Sequence, residues 1–149
     1  SLGPVRWIVV TNSDHTRAAA ALAAETGART CGPAAEQATF PLRCARWLTE
    51  GDEVSDGIRV VALDGSKTPG ELALIVDGST LITGDLVRAH RAAALTCLPA
   101  AKLADRAAAV ASIRRLAAIP GIEAVLVGDG WPVFERGGDH LRALAASLD

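Results

Sequence analysis

Short apolar runs that stop abruptly at charged residues most restrict what this chain can fold into. Val5 to Val10, Ile58 to Leu63, Leu72 to Val76, Thr80 to Thr83 and Ala124 to Val127 are each four to six residues long and rich in aliphatic, often β-branched, side chains. That length suits a buried strand and is too short for a stable helix. The first run leads into Asp14 and His15, the second into Asp64, Ser66 and Lys67, the fourth into Asp85 and the last into Asp129. Strands of this kind, alternating with helical stretches, predict an α/β layered domain, in which the loops at the carboxyl ends of strands converge on a common site.

The intervening segments supply the helices. Ala18 to Glu25 is alanine-rich and is followed by Gly27, which suits a left-handed helix cap. Residues 100 to 118 carry Leu103, Ala107, Val110, Ile113 and Ala117 at three- and four-residue spacing, which predicts an amphipathic helix stopped by Pro120-Gly121. His140 to Leu148 reads as a terminal helix, with His140 at its start as a surface or capping residue. Residues 32 to 50 contain Pro33 and Pro41 and no sustained period, and read as a loop with short helical pieces. Asp77-Gly78-Ser79, between two strand runs, is hairpin chemistry.

Length and charge exclude several function classes. The 149 residues, 50% hydrophobic, suffice for one domain spanning residues 1–149 around one core. Lys and Arg total 15 against 17 Asp and Glu, with no run of either sign, so neither a nucleic acid nor an anionic membrane is expected as a partner. No apolar stretch has the roughly 20 residues that cross a bilayer, and Ser1 to Pro4 do not open a secretory signal. Cys31, Cys44 and Cys97 form no CxxC pair and leave an odd thiol, which suits a reducing, cytoplasmic setting and three small buried hydrophobes.

Each polar corner also has a purely structural reading. Ser13 or Asp14 can cap the following helix, Asp85 and Asp129 stand beside glycine as turn formers would, and Lys67 can be a solvated residue of a Gly-Ser loop. Against that reading stands the number of corners: four strand exits carry charge. A nucleotide-binding alternative is weak, because no GxGxxG follows any strand and "TNSDHT" has no glycine through which a pyrophosphate could approach the backbone.

Taken in order, "IVVTNSDHTRAAAALAAETGA", "LDGSKTPGELALIVDGSTLITGDLV" and "AVLVGDGWPV" resemble the metallo-β-lactamase superfamily, with its HxHxDH, GHTPG, TGD and GHG motifs. The resemblance covers nearly the whole chain and implies an αββα sandwich of mixed α/β class and a hydrolase-like protein. Of the family's metal ligands, the Asp-His of the first motif survives as Asp14 and His15, Ser66 and Lys67 stand where a histidine belongs, Asp85 keeps the bridging aspartate, and Asp129 replaces the last histidine. The family's strands before the first motif have no counterpart, since only Ser1 to Pro4 precede Val5. The expected sandwich is therefore incomplete at the N-terminus, and its open sheet predicts homo-oligomerisation or association with a missing N-terminal segment.

Three functions follow. In the first, Asp14, His15, Asp85 and Asp129 hold a single divalent metal, whether zinc or, given the oxygen-rich donor set, manganese, iron or magnesium. That metal activates water against an ester, thioester or phosphoester, with Asp14, His15 and Lys67 as the catalytic groups. In the second, no metal binds, and Lys67 with the carboxylates fills the former metal site of a pseudoenzyme or small-molecule binding module, the ammonium replacing part of the metal's charge. The third is metal-free acid-base catalysis by His15 and Lys67, with Ser66 as the nominated nucleophile. No organic cofactor is implied. Among other residues, His90 reads as a replacement ligand or a surface histidine, Trp131 as a wall of the cleft, and Arg17 as a partner of the carboxylates or of solvent charges.

Overall fold

The structure is a computed structural model and describes residues 3–92 and 94–148. In chain order its elements are β1 (Trp7–Val9), α1 (Ala19–Thr26), β2 (Arg29–Pro33), β3 (Arg46–Leu48), β4 (Glu53–Ser55), β5 (Ile58–Leu63), β6 (Glu71–Val76), β7 (Thr80–Thr83), β8 (Val87–Arg91), β9 (Ala94–Cys97), α2 (Arg106–Ala117), β10 (Ala124–Val127) and α3 (Gly137–Ala146), with short 3-10 turns at Ser13–His15, Ala34–Glu36 and Ala100–Lys102.

The five apolar runs become β1, β5, β6, β7 and β10, and the last four form most of a five-stranded sheet in the order β10-β7-β6-β5-β4. Alternation along these strands sends side chains to two cores. Val61, Leu63, Ala73, Ile75, Leu81 and Val125 pack toward Ile113 and Leu116 of α2 and Leu141 of α3. Val60, Leu72 and Leu74 face Cys31 and Leu48 of a second sheet, the parallel β1-β2-β3, with Trp7 and Val9 beside them. Because both faces of the larger sheet are covered, its strands are nearly continuous hydrophobic runs. α1 lies against β1 and β2, so the layers run helix, sheet, sheet, helices, which is the αββα arrangement. The second sheet has three strands against five, and Ile82 of β7 and Leu126 of β10 stay half-buried.

Local chemistry accounts for the boundaries. Asp77 and Gly78 both have positive φ, 48° and 68°, and Ser79 N donates to Val76 O, which makes the β6–β7 turn type I′. Gly27 closes α1 at φ 70°, its N–H donating to Ala23 O. The helix expected over 100 to 118 is divided, because Asp105 is extended at φ −146° and caps α2 by accepting from Ala108 N at 3.0 Å. The terminal helix begins at Gly137, three residues before His140. Residues 32 to 50 contribute to β2 and β3, and β8 and β9 pair antiparallel, neither of which the sequence pattern signalled. Cys31 is fully buried while Cys44 and Cys97 are half-buried, and burial pushes all three thiols up, as befits packing residues.

Candidate functional site

β5, β7 and β10 run in one direction and β6 against them, so the exits of the first three and the start of β6 share one edge of the sheet. Thr83 pairs with Val127, which puts the corners after β7 and β10 at the same level. The other sheet is tied to this edge through Leu72 N, which donates to Thr11 O at 2.8 Å just after β1. Four separate strand ends thus deliver Asp14 and His15, Lys67, Asp85, and Asp129 to one place. With Arg17, Arg88 and Gly128 they line a cavity of about 500 Å³.

Asp85 is the centre. Its side chain is 7% exposed, and Oδ2 lies 3.0 Å from Lys67 Nζ, 3.1 Å from Asn12 Nδ2 and 3.3 Å from His15 Nε2. Burial alone would raise its carboxyl, but the Lys67 hydrogen bond, His15 and Asn12 more than offset this and hold it below the usual value. Lys67 Nζ also donates to Asp14 Oδ2 at 2.7 Å, and this bond leads the causes that push its ammonium up. On the far side, Arg88 Nη2 is 3.5 Å from Asp85 Oδ1 and 2.6 Å from Asp129 Oδ2, while His90 Nε2 stands 3.6 Å from the same Asp129 oxygen. His15 is oriented by Thr11, whose Oγ1 is 2.8 Å from Nδ1. Asn12 has a second task, its Oδ1 accepting from Asp14 N at 3.0 Å to close the turn.

A buried layer beneath fixes these groups. Glu71, wholly buried at the start of β6, accepts from Ser66 Oγ at 2.6 Å and from Leu86 N at 2.8 Å, joining the Lys67 loop to the Asp85 corner. Burial pushes its carboxyl up, against the two hydrogen bonds that lower it. Thr83 Oγ1 donates to Val87 O at 2.9 Å across the corner, and Gly84 sits tightly, since a Cβ there would lie 3.1 Å from Glu71 Oε1 and from Thr11 Oγ1. Glu36, also buried, accepts from Ser13 N at 3.3 Å.

Asp14, His15, Lys67, Asp85 and Asp129 therefore all line one cavity, whereas His90, read as a replacement ligand, is not among its lining residues. Asp14 and Asp85 meet at Lys67, His15 joins through Asp85, and Asp129 joins only through Arg88. Ser66, nominated as a nucleophile, is buried and donates to Glu71, so its hydroxyl faces away from any reaction in the cavity. Trp131 is 65% exposed on the loop after β10 and is not a wall of the cavity. Arg88, Asn12, Glu71 and Glu36 are the groups that sequence reasoning missed. Arg88 carried one available signal, its place three residues after an aspartate corner. Among the described residues, no three His, Cys, Asp and Glu side chains are grouped as a metal ion requires.

A family model described as metallo-beta-lactamase superfamily matches residues 1–148. Solved structures similar to the chain include the metallo-β-lactamase FIM-1 from Pseudomonas aeruginosa in its mono-zinc form, 16% identical with a TM-score of 0.72, the match covering 97% of this chain and 67% of that one. A metallo-β-lactamase from Erythrobacter litoralis is 19% identical with a TM-score of 0.72 over 97% of this chain and 69% of its own. One from Pontibacter korlensis is 16% identical with a TM-score of 0.71 over 96% and 70%. These likenesses carry the fold, and the chain spans about two thirds of the length of each. No curated protein sequence matches significantly.

Proposed function

The chain belongs to the metallo-β-lactamase superfamily, and we propose that it uses this fold without a metal, as a cleft that binds a small polar molecule between side-chain cations and carboxylates. One observation carries the reading: Lys67 Nζ is 2.7 Å from Asp14 Oδ2 and 3.0 Å from Asp85 Oδ2. The two carboxylates expected to ligate a metal are aimed at an ammonium, and the third, Asp129, is aimed at the Arg88 guanidinium.

The donor set does not fit a divalent ion. His15 is the one imidazole at the cluster's centre, and its Nε2 faces Asp85. A divalent ion about 4 Å from the Lys67 ammonium would meet a repulsion of roughly 8 kcal/mol at an effective dielectric near 20. Apparent binding energies of structural zinc are about 10 to 16 kcal/mol, so that repulsion removes half of the gain or more.

Metal content decides the matter. Protein purified without a metal-affinity column, then incubated with zinc, manganese and iron and desalted, is expected to carry far less than one metal per chain by plasma mass spectrometry. Stoichiometric metal that disappears in Asp85→Ala would overturn the reading. It would favour instead a mononuclear hydrolase acting on an ester, thioester or phosphoester, the second reading, which draws on Asp14, His15, Asp85 and Asp129 all lining one cavity.

A further inference from the structure

Resting on that metal-free reading, we propose that the cleft receives a small zwitterion, a molecule carrying an ammonium and a carboxylate separated by a short chain. The charges of the cleft form an alternating series, Asp14, Lys67, Asp85, Arg88, Asp129, in which each neighbour is 2.6 to 3.5 Å from the next. Three carboxylates against two cations leave the series with one excess negative charge. Both ends are carboxylates, and both are accessible: the Asp14 side chain is 50% exposed and that of Asp129 46%, while Asp85 in the middle is 7% exposed with both oxygens engaged. At each end Oδ2 holds the neighbouring cation, and half of the carboxylate side chain stays open to the cavity. These two exposed carboxylates are the acceptors open to an ammonium.

The matching cation is Arg17, which lines the same cavity and among the described residues has no hydrogen bond or ion pair. Its whole guanidinium fork is free to take a carboxylate in two parallel bonds. A second donor is incompletely used. Arg88 is nine-tenths buried beside the cavity, and its Nε has no hydrogen-bond partner among the described residues. Buried polar groups are rarely left in that state without a ligand or water completing them.

Charge balance selects the ligand class. With His15 neutral, three aspartates, Arg17, Lys67 and Arg88 give the lining no net charge, but its signs are separated. A simple anion would gain Arg17 and meet the two acidic ends, and a simple amine would gain an acidic end and leave Arg17 bare. A zwitterion satisfies both, adds no net charge, and fits a cavity within the range of about 300 to 1,000 Å³ usual for small-molecule sites.

The test is calorimetric titration, with and without EDTA, of the ω-amino acids from β-alanine to 6-aminohexanoate, against hexanoate and hexylamine as single-charge controls. The expected result is that the best ω-amino acid binds about tenfold or more tighter than either control, with EDTA making no difference. Arg17→Ala is expected to weaken that ω-amino acid by a similar factor and leave hexylamine unchanged; Asp129→Asn is expected to weaken hexylamine and leave hexanoate unchanged. Arg17 is exposed, so Arg17→Ala should melt with the parent and the readout is not confused by folding. Equal binding of a control, loss of hexylamine binding in Arg17→Ala, or no binding of any ω-amino acid to metal-free protein overturns the inference and leaves the metal-free reading standing. Zwitterion binding that EDTA abolishes overturns that reading, and this inference with it.

Discussion

At the centre of the cleft, Asp85 is 7% exposed and its oxygens face Lys67, Asn12, His15 and Arg88; at one end, Asp129 is 46% exposed and faces Arg88 and, at 3.6 Å, His90. Both follow a glycine at the exit of a strand, and those strands are paired in parallel. What separates them is the support behind each. The Asp85 corner is held by Thr83 Oγ1 on Val87 O and by Glu71 on Leu86 N, and Gly84 packs against Glu71 and Thr11. The Asp129 corner is pinned through its backbone, Ala89 N donating to Asp129 O at 3.0 Å and Gly128 N to Thr83 O at 3.1 Å, but its side chain has no buried layer behind it and the loop that follows leaves Trp131 and Phe134 65% and 71% exposed. The same residue type at equivalent strand exits is thus a structural keystone in one place and an adjustable arm in the other. Burial decides which, since a buried charge depends on its partners and an exposed one can fall back on water.

The comparison predicts its largest effect at Asp85→Asn. Two cations would lose their shared counter-charge in a desolvated place, and a loss of about 3 kcal/mol is expected in urea unfolding at neutral pH. A cost equal to that of the same change at Asp129 would break the contrast. Lys67→Met comes next, at roughly 1 to 2 kcal/mol, because Asp85 keeps Asn12, His15 and Arg88 while Asp14 turns to solvent. A double-mutant cycle between Lys67 and Asp85 sharpens this, since direct contact should leave a coupling on the order of 1 kcal/mol.

Glu71 carries a pH signature of the supported corner. Burial raises its carboxyl above the ordinary 4.5 in the folded protein. The folded state therefore holds that proton more tightly than the unfolded chain, so the contribution is intact below 4.5 and is lost as pH climbs through the folded value. Glu71→Gln has no such titration and keeps acceptor and donor for Leu86 N and Ser66 Oγ. The stability of the variant relative to the parent should thus rise between about pH 4 and neutrality in urea titrations. A difference that stays flat with pH would mean that burial does not perturb Glu71.

How much of this was legible in the sequence follows the range of each interaction. The Asp77-Gly78 turn and the strand runs were readable because their signals are local: two residues of left-handed preference, and continuous apolar stretches. The four charged corners were readable for the same reason, each charge directly following its run. β2, β3, β8 and β9 were not, being three to five residues long and carrying Gly32, Pro33, Arg46 and Arg88 where a period-two pattern would be sought. Glu71 looks like an ordinary charge after "TPG" and Arg88 like one in "LVRAHR"; their burial depends on partners that fold in from 15 residues away, as Leu86 does for Glu71, or 41, as Asp129 does for Arg88. Sequence placed the carboxylates and Lys67 at the site, and only the fold could place Arg88 between Asp85 and Asp129.

Asp129→Asn should be the smallest of these changes in stability, about 0 to 1 kcal/mol, the usual worth of an exposed pair. Arg88 retains Asp85 Oδ1 at 3.5 Å, and the amide that replaces the Asp129 carboxylate would still offer a carbonyl oxygen to the guanidinium. The same variant nonetheless removes one of the two accessible acidic ends of the cleft. A residue that matters to binding and hardly at all to folding is what an adjustable arm requires. Measured side by side, Asp85→Asn and Asp129→Asn should therefore separate in opposite senses: the first lowers the unfolding midpoint, the second leaves it nearly in place while amine binding falls. If Asp129→Asn instead costs as much stability as Asp85→Asn, then Arg88 draws its main support from the open end, and the cleft is anchored at both sides of the sheet edge.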